Sequence, residues 1–233
     1  MIIKRKVWHV LPFRWSTSLF SEHRSDRQKL QSMKISYQES VPRLADIVSE
    51  VSNPLFVALP TFLVIALATA RDIPHAFLWW SVTILGISIA PFLFILRGIR
   101  QGRYSDRHVS IRQQRFIPLL FGLGCMVAAF VLLSVLDASR VLMATVTSVI
   151  MACGISLLVT HYWKISLHLV GMAGAVTVFV LMFGPHFLLL SPLVVLVGWA
   201  RWQVHAHTVL QACAGASLAI GVTVGIFWLF GVL

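Results

Sequence analysis

The sequence predicts an all-α protein, a polytopic membrane helix bundle of six to seven transmembrane helices. Two observations lead to this prediction. Of the 233 residues, 58% are hydrophobic and only 12% are charged, whereas a soluble domain has about 25% charged residues. The mean hydropathy of +0.85 reflects apolar runs of the length that a membrane-spanning helix needs, about 20 residues. So little polar surface excludes a disordered chain or a disulfide scaffold and argues against a soluble enzyme.

The N-terminal part of the chain differs in composition from the rest. Residues 1–52 are polar and basic, with aromatic side chains among the cations, and they lack the apolar core and cleavage site of a signal peptide. We predict a basic N-terminal segment that is interfacial or disordered. Within it, residues 41–51 carry apolar side chains at helical spacing and predict an amphipathic helix that leads into the bilayer. Residues 53–233 form the predicted transmembrane domain.

Seven apolar runs in this domain predict membrane-spanning helices. Six of them have spanning length, and a seventh is short and contains Pro192. Gly184-Pro185, a strong helix breaker, separates the short run from the one before it. The runs lie near 54–70, 76–96, 116–136, 141–160, 165–184, 186–200 and 208–231.

Most of the charge outside the N-terminal segment is predicted to lie on one face of the membrane. Two spans separate each of the stretches 97–115, 161–168 and 201–207 from the next, so all three emerge together. The first stretch holds six arginines and one acidic residue, Asp106. Because short loops rich in Lys and Arg stay inside, we predict that the three loops are cytoplasmic, in a bacterial or archaeal cell membrane.

The three loops supply cations and histidines and almost no carboxylates, a mixture that suits an anionic ligand. Arginine offers a fork of donors that matches phosphate oxygens, and lysine adds a point charge. Since the basic residues lie beside apolar runs, we interpret them as contacts for membrane lipids and not for nucleic acid. A hydrolytic metal site would need carboxylates or closely spaced histidines. We predict no metal and no cofactor, with zinc as an alternative because several histidines share this face.

Two short motifs on this face resemble signatures of the type 2 phosphatidic acid phosphatase family, which includes lipid phosphate phosphatases and haloperoxidase-like proteins. Lys164-x-Ser166-x-His168 is similar to the Pro-Ser-Gly-His motif of the family. Arg201-x5-His207 is similar to its Ser-Arg-x5-His-x3-Asp motif, at the same separation. The likeness in layout extends over residues 54–231.

The chain also departs from the family pattern. Gln211 stands where the family has Asp, and Leu167 replaces the Gly of the second motif. The first family motif, Lys-x6-Arg-Pro, is absent as such. Its nearest equivalents are Arg112 and Arg115, just ahead of Pro118.

The resemblance implies an integral membrane phosphatase that hydrolyses a lipid phosphate or polyprenyl (di)phosphate through a phospho-histidine intermediate. Residues 53–233 would then be a phosphatase-like domain. In the implied mechanism His207 is the nucleophile, His168 protonates the leaving group, and Gln211 orients the nucleophile. The implied phosphate-binding residues are Arg201, Lys164, Ser166, Arg112 and Arg115.

Two other functions stay open. A non-catalytic lipid-phosphate binding or transport-related protein would share the cationic site without needing the Asp that Gln211 replaces. A transporter should also show charged residues at mid-membrane or paired broken helices, and charged residues are nearly absent from the predicted spans. A prenyltransferase would need paired Asp-rich motifs for magnesium, and the chain has only eight acidic residues. The sequence does not indicate the oligomeric state.

Overall fold

The computed structural model describes residues 43–105, 109, 111, 114 and 116–233. Within these residues the secondary structure is helical throughout, with no strand, which confirms the predicted all-α fold for this part of the chain. The helices are α1 (Arg43–Val51), α2 (Pro54–Thr69), α3 (Ile73–Arg100), α4 (Phe116–Val135), α5 (Arg140–Tyr162), α6 (Leu167–Phe183), α7 (Pro185–Gln203, of which Pro185–Leu190 is 3₁₀) and α8 (Val209–Leu229).

Five of the described helices, α3, α4, α5, α7 and α8, are long and apolar enough to cross a membrane. Helices α1 and α2 meet at a bend of 48° and together would give a sixth span, and α6 is a shorter apolar helix. Large apolar side chains such as Leu158 and Val195 are exposed on the outer faces, as expected of a surface that contacts lipid. The fold is that of a multi-pass membrane protein, while the count of seven spans stays a prediction.

The breaks between helices follow from local residue chemistry. Pro54 disfavours a helical backbone at the preceding residue, and the Asn53 side chain instead accepts a hydrogen bond from the Leu55 N–H at 3.1 Å to start α2. Gly184, between α6 and α7, has a φ of +102°, which only glycine adopts at no steric cost. The predicted break at Gly184-Pro185 is therefore confirmed.

A π-helical turn, Leu85–Ile89, interrupts α3. The Ala90 N–H donates to the carbonyl of Leu85, five residues back, and Pro91 has no N–H to offer the carbonyl of Ile87. Such turns are rare inside α-helices and are frequent at functional sites. Ile87 lines the central cavity described below.

Two apolar cores hold the bundle together at different levels. The larger one lies toward the C-terminal ends of α2, α4 and α8, and its most buried side chains are Phe62, Ile65, Leu133, Leu142 and Phe227. A smaller one, of Leu169, Val197 and Ala212, joins α6, α7 and α8 near the opposite end. This second core fixes the helix ends that carry the predicted site residues.

The turn between α2 and α3 lies at the end of the bundle away from those residues. Asp72 caps α3 by accepting a hydrogen bond from the His75 N–H at 2.9 Å, and its carboxylate lies 2.6 Å from His75 Nδ1. The backbone hydrogen bond, followed by the side-chain one, holds the pKa of Asp72 below its ordinary value, because both favour the ionised carboxylate.

Candidate functional site

Buried polar side chains from separate helices meet at one end of the bundle. His168, Arg201 and His207 are 5%, 3% and 6% exposed, and Ser49 is 4% exposed. They belong to the start of α6, the end of α7, the turn before α8, and α1. The structure therefore brings together the loops 161–168 and 201–207, as the alternation of spans predicted.

A tight turn at the end of α7 connects Arg201 to His207. The backbone N–H groups of Ala206 and His207 both donate to the carbonyl of Arg201, at 3.1 and 3.2 Å. His205, inside the turn, has a φ of +52°, the left-handed conformation that closes many helix C-termini and that glycine usually supplies. The turn brings the chain back beside the backbone of Arg201. The side chains of Arg201 and His207 therefore line the same cavity.

Gln211 holds the ring of His207 in one tautomer. Its Oε1 accepts a hydrogen bond from the Thr208 N–H at 3.2 Å and lies 3.1 Å from His207 Nδ1. Because an amide oxygen only accepts, Nδ1 carries the proton and donates. In the neutral ring Nε2 is then unprotonated and can act as a nucleophile or a base. The sequence predicted that Gln211 reaches His207, and this contact is present.

The hydrogen bonds that cap the start of α8 also fix the position of the Gln211 side chain. Thr208 Oγ1 accepts the Gln211 N–H at 3.3 Å while the Gln211 side chain accepts the Thr208 N–H, a capping box. A capping box satisfies N–H groups that a helix start otherwise leaves without partners. The rotamer of Gln211 is therefore fixed before it contacts His207.

Helix α1 orients two of the predicted site residues through Ser49. The Ser49 carbonyl accepts a hydrogen bond from His168 Nε2 at 3.1 Å, and the Ser49 hydroxyl accepts one from the Arg201 guanidinium. Since a carbonyl only accepts, His168 carries a proton on Nε2 in this arrangement. One residue thus positions both a histidine and an arginine.

Sequence reasoning missed Ser49, which falls in the segment 1–52 outside the predicted transmembrane domain. The predicted amphipathic helix is present as α1, but its apolar side chains face outward: Leu44, Ile47 and Val51 are 53%, 60% and 68% exposed. The opposite face, with Ser49, packs against the site. The sequence signal that could have identified Ser49 is its position on the face of α1 opposite to the apolar residues.

Lys164 joins the loop before α6 to the turn before α8. Its Nζ donates to the carbonyl of Ala206 at 2.7 Å, and the Ser166 N–H donates to the carbonyl of Gln211 at 3.4 Å. Lys164 therefore holds the residue that precedes His207 and places a positive charge next to it.

One of the residues proposed to bind phosphate, Ser166, does not line the cavity, and two others are not among the residues that the structure describes. Ser166 is fully buried, does not line the cavity, and its hydroxyl has no hydrogen-bond partner among the described residues. Arg112 and Arg115 lie outside the described residues. Val109, from the same stretch of sequence, is 4% exposed and lines the cavity.

A cavity of about 220 Å³ begins at these side chains and continues into the bundle. Asn53, His168, Arg201 and His207 form its polar end. Farther in, side chains from α2, α3, α4, α5, α6 and α8 surround it, including Ala58, Phe62, Ile87, Met126, Val149, Val178 and Ala219. The cavity therefore joins a cationic end to an apolar interior.

His207 also lines a second, shallower hollow at the end surface of the bundle. Lys164, Trp202, His205 and Gln211 form other parts of its wall, and Trp202 and His205 are exposed. His207 is thus reached both from the apolar cavity and from the surface of the protein.

Zinc, left as an alternative by the sequence, lacks a ligand set in the part of the chain that is described. There, no group of three His, Cys, Asp or Glu side chains could hold a metal ion.

Gly215 allows α8 to approach the start of α6. A Cβ at this position would lie 2.7 Å from the backbone oxygen of Ser166, so one helix would have to move. We expect Gly215→Ala to destabilise the protein by about 1–3 kcal/mol, measured as a lower unfolding temperature in detergent. Gly221→Ala, in the same helix, is the matched control because a Cβ there meets nothing within 4 Å. Equal unfolding temperatures for the two variants would contradict the close approach.

Comparison of the chain with protein-family models, with curated proteins and with solved structures finds no significant match. The fold and the site define the class of protein by themselves. It is a multi-pass membrane protein whose described residues form a helical bundle, with a buried arginine and two buried histidines at one end of that bundle.

Proposed function

We propose that the protein is an integral membrane phosphatase that hydrolyses a lipid phosphate or polyprenyl (di)phosphate through a phospho-histidine intermediate. The observation that carries the proposal is the meeting of Arg201, His168 and His207 at the polar end of an otherwise apolar cavity. A ligand with an anionic head and an apolar tail matches this division. The resemblance of both motifs to those of type 2 phosphatidic acid phosphatases supports the same function.

Arg201 binds the phosphoryl group in the proposed mechanism. Its guanidinium is a planar fork of donors that stays charged at every accessible pH. Because the side chain is buried, salt screens its charge little. A fixed positive charge stabilises the negative charge that spreads over three oxygens during phosphoryl transfer. Lys164 adds a second positive charge from the outer side of His207.

His207 Nε2 attacks phosphorus, and the N–P bond forms as the P–O bond to the lipid breaks. His168, with both ring nitrogens protonated, gives its Nδ1 proton to the leaving alkoxide and keeps the Nε2 proton that the Ser49 carbonyl accepts. A water molecule that reaches His207 from the surface hollow then attacks phosphorus, the N–P bond breaks, and inorganic phosphate leaves. His168 takes the proton of that water and returns to its starting state. General acid–base steps of this kind contribute about 10²–10⁴-fold each.

Gln211 sets how basic the His207 ring is. We expect Gln211→Glu to raise turnover by up to about fivefold, since a hydrogen bond to a charged acceptor is about 1 kcal/mol stronger than one to a neutral acceptor. Glu keeps the side-chain length that the 3.1 Å contact uses, which Asp would shorten.

The same substitution raises the pKa of His207, because the carboxylate favours the charged ring. A nucleophilic His207 must be neutral, so the acidic limb of the pH–rate profile should move to higher pH. Steady-state kinetics from acid to neutral pH measure both effects, with Gln211→Leu as the variant that loses the acceptor. A fall in turnover of Gln211→Glu would show that the site is built around the neutral amide.

The neutral amide of Gln211 also favours a second candidate function, that of a non-catalytic lipid-phosphate binding protein. An assay of the purified protein with phosphatidic acid and with a polyprenyl diphosphate, in the presence of EDTA, separates the two. Release of inorganic phosphate supports the phosphatase. Binding of either lipid without release supports the second candidate.

We place the site on the cytoplasmic side of a bacterial or archaeal cell membrane, because the loop 97–115 is dense in arginine and short arginine-rich loops stay inside. Labelling of a cysteine introduced at position 102 by an impermeant reagent in intact cells would reverse this placement.

A further inference from the structure

The apolar part of the cavity extends deep into the bundle. On α6 it is lined from His168 to Val178, about ten residues and about 15 Å at the helical rise of 1.5 Å per residue. On α5 it reaches Thr145, and on α8 it reaches Thr223, both far from the helix ends that carry the site. Side chains of six helices contribute to its wall.

The cavity is narrow for its length. Its volume is about 220 Å³, below the range of about 300–1,000 Å³ that is typical of sites for drug-sized ligands. A cavity of about 150 Å³ holds one benzene molecule, so the present one accommodates on the order of nine carbon atoms. That is enough for one slender hydrocarbon chain and not for two side by side.

Three hydroxyl groups in the wall already have hydrogen-bond partners within the protein. Thr61, Thr145 and Ser148 donate to the carbonyls of Val57, Val141 and Ala144 in their own helices, at 2.8, 2.8 and 2.9 Å. A polar group that already has its hydrogen bond loses nothing when an apolar chain lies beside it. The part of the cavity wall that lies deeper in the bundle than the site residues can therefore contact a hydrocarbon chain.

We propose that this cavity binds the single apolar chain of the substrate, so that the protein acts on single-chain alkyl or prenyl phosphates in preference to two-chain lipid phosphates. The inference rests on the proposed function for the position of the phosphate at Arg201 and His207. It adds where the hydrocarbon part of the substrate binds and how many hydrocarbon chains the cavity accepts.

Gly174 provides the test. It lines the cavity on α6, and a Cβ there would meet Ala219 Cβ at an ordinary 3.8 Å, so a leucine fits the backbone and fills the cavity. We expect Gly174→Leu to lower kcat/KM for decyl phosphate by at least about tenfold, since each methylene that loses burial costs about fourfold. Ethyl phosphate, whose chain ends before this level, should be hydrolysed at an unchanged rate.

Gly154→Leu is the matched control, because Gly154 does not line the cavity and a Cβ there meets nothing within 4 Å. It should leave both substrates unaffected. For the wild type, dioctanoyl phosphatidic acid should have a kcat/KM at least about tenfold below that of decyl phosphate. Equal losses for ethyl and decyl phosphate in Gly174→Leu, or equal use of the one-chain and two-chain substrates, would overturn the proposal.

A protein that releases no phosphate from any of these esters or from a polyprenyl diphosphate would refute the proposed function and leave the cavity to be tested by binding. Calorimetric titration of decyl phosphate into detergent-solubilised wild type and Gly174→Leu then decides. Weaker binding to the variant, with ethyl phosphate binding unchanged, supports a single-chain site. Equal affinity of the two proteins for decyl phosphate overturns it.

Discussion

Replacing His207 with alanine is expected to abolish the release of phosphate, with a loss of at least about 10⁴-fold. Loss of the nucleophile of a covalent mechanism leaves only the rate that binding and charge stabilisation supply. The ring is buried, and its Nδ1 proton is held by Gln211, which prepares Nε2 for attack. Inorganic phosphate released from phosphatidic acid and from decyl phosphate measures the effect.

His186→Ala is the control for that substitution, because His186 is exposed and lies in the 3₁₀ turn at the start of α7, at the end of that helix opposite to Arg201. It should keep full activity. Residual activity of His207→Ala within about tenfold of the wild type would exclude His207 as the nucleophile, since no covalent catalyst tolerates loss of its nucleophile so well.

Removing the charge of Arg201 is expected to cost about 10²–10³-fold in kcat, the usual loss when one fixed donor to a developing negative charge is removed. Arg201→Met keeps much of the side-chain volume, so the effect should come from the charge and its hydrogen bonds. Arg100→Met, at an exposed arginine at the end of α3, controls for loss of a surface charge and should stay within about twofold of the wild type.

A second comparison separates phosphate binding by Arg201 from its contact with α1. The guanidinium donates to the Ser49 hydroxyl, so Arg201→Met also releases that residue. Ser49→Ala removes the hydroxyl and keeps the carbonyl that accepts from His168, and we expect it to cost about tenfold at most. If Arg201→Met lost no more activity than Ser49→Ala, Arg201 would act only by holding α1.

Much of the fold follows from the sequence because helix-forming runs are long and their breaks are chemically strong. Each of the seven predicted runs is a helix, and the break at Gly184-Pro185 is where φ becomes positive. The bend between α1 and α2 was harder to foresee. It depends on Asn53 and Pro54, whose effect is local, and on α1 packing against helices more than 100 residues away in sequence, as the contact from Ser49 to His168 shows.

The candidate site was predictable where spacing within one segment fixes geometry. Gln211 lies one helical turn after His207, so its contact with the ring follows from the helix period. Arg201 and His207 share a cavity because the turn between them is closed by hydrogen bonds within seven residues. Ser49 and Ser166 show the limit of such reasoning. Which serine faces the site depends on how α1 and α6 are rotated in the bundle, and spacing along the chain does not contain that rotation.

The measurement that tests the phosphatase proposal most directly is the trapping of the covalent intermediate. The wild-type protein is incubated in EDTA with decyl phosphate labelled at phosphorus, quenched within milliseconds, and examined for label bound to the polypeptide. The expected result is label on His207 that survives alkali and is lost in acid, as phospho-histidine is, and that is missing from His207→Ala. Release of phosphate with no label on His207, or with label on another residue, would contradict the mechanism.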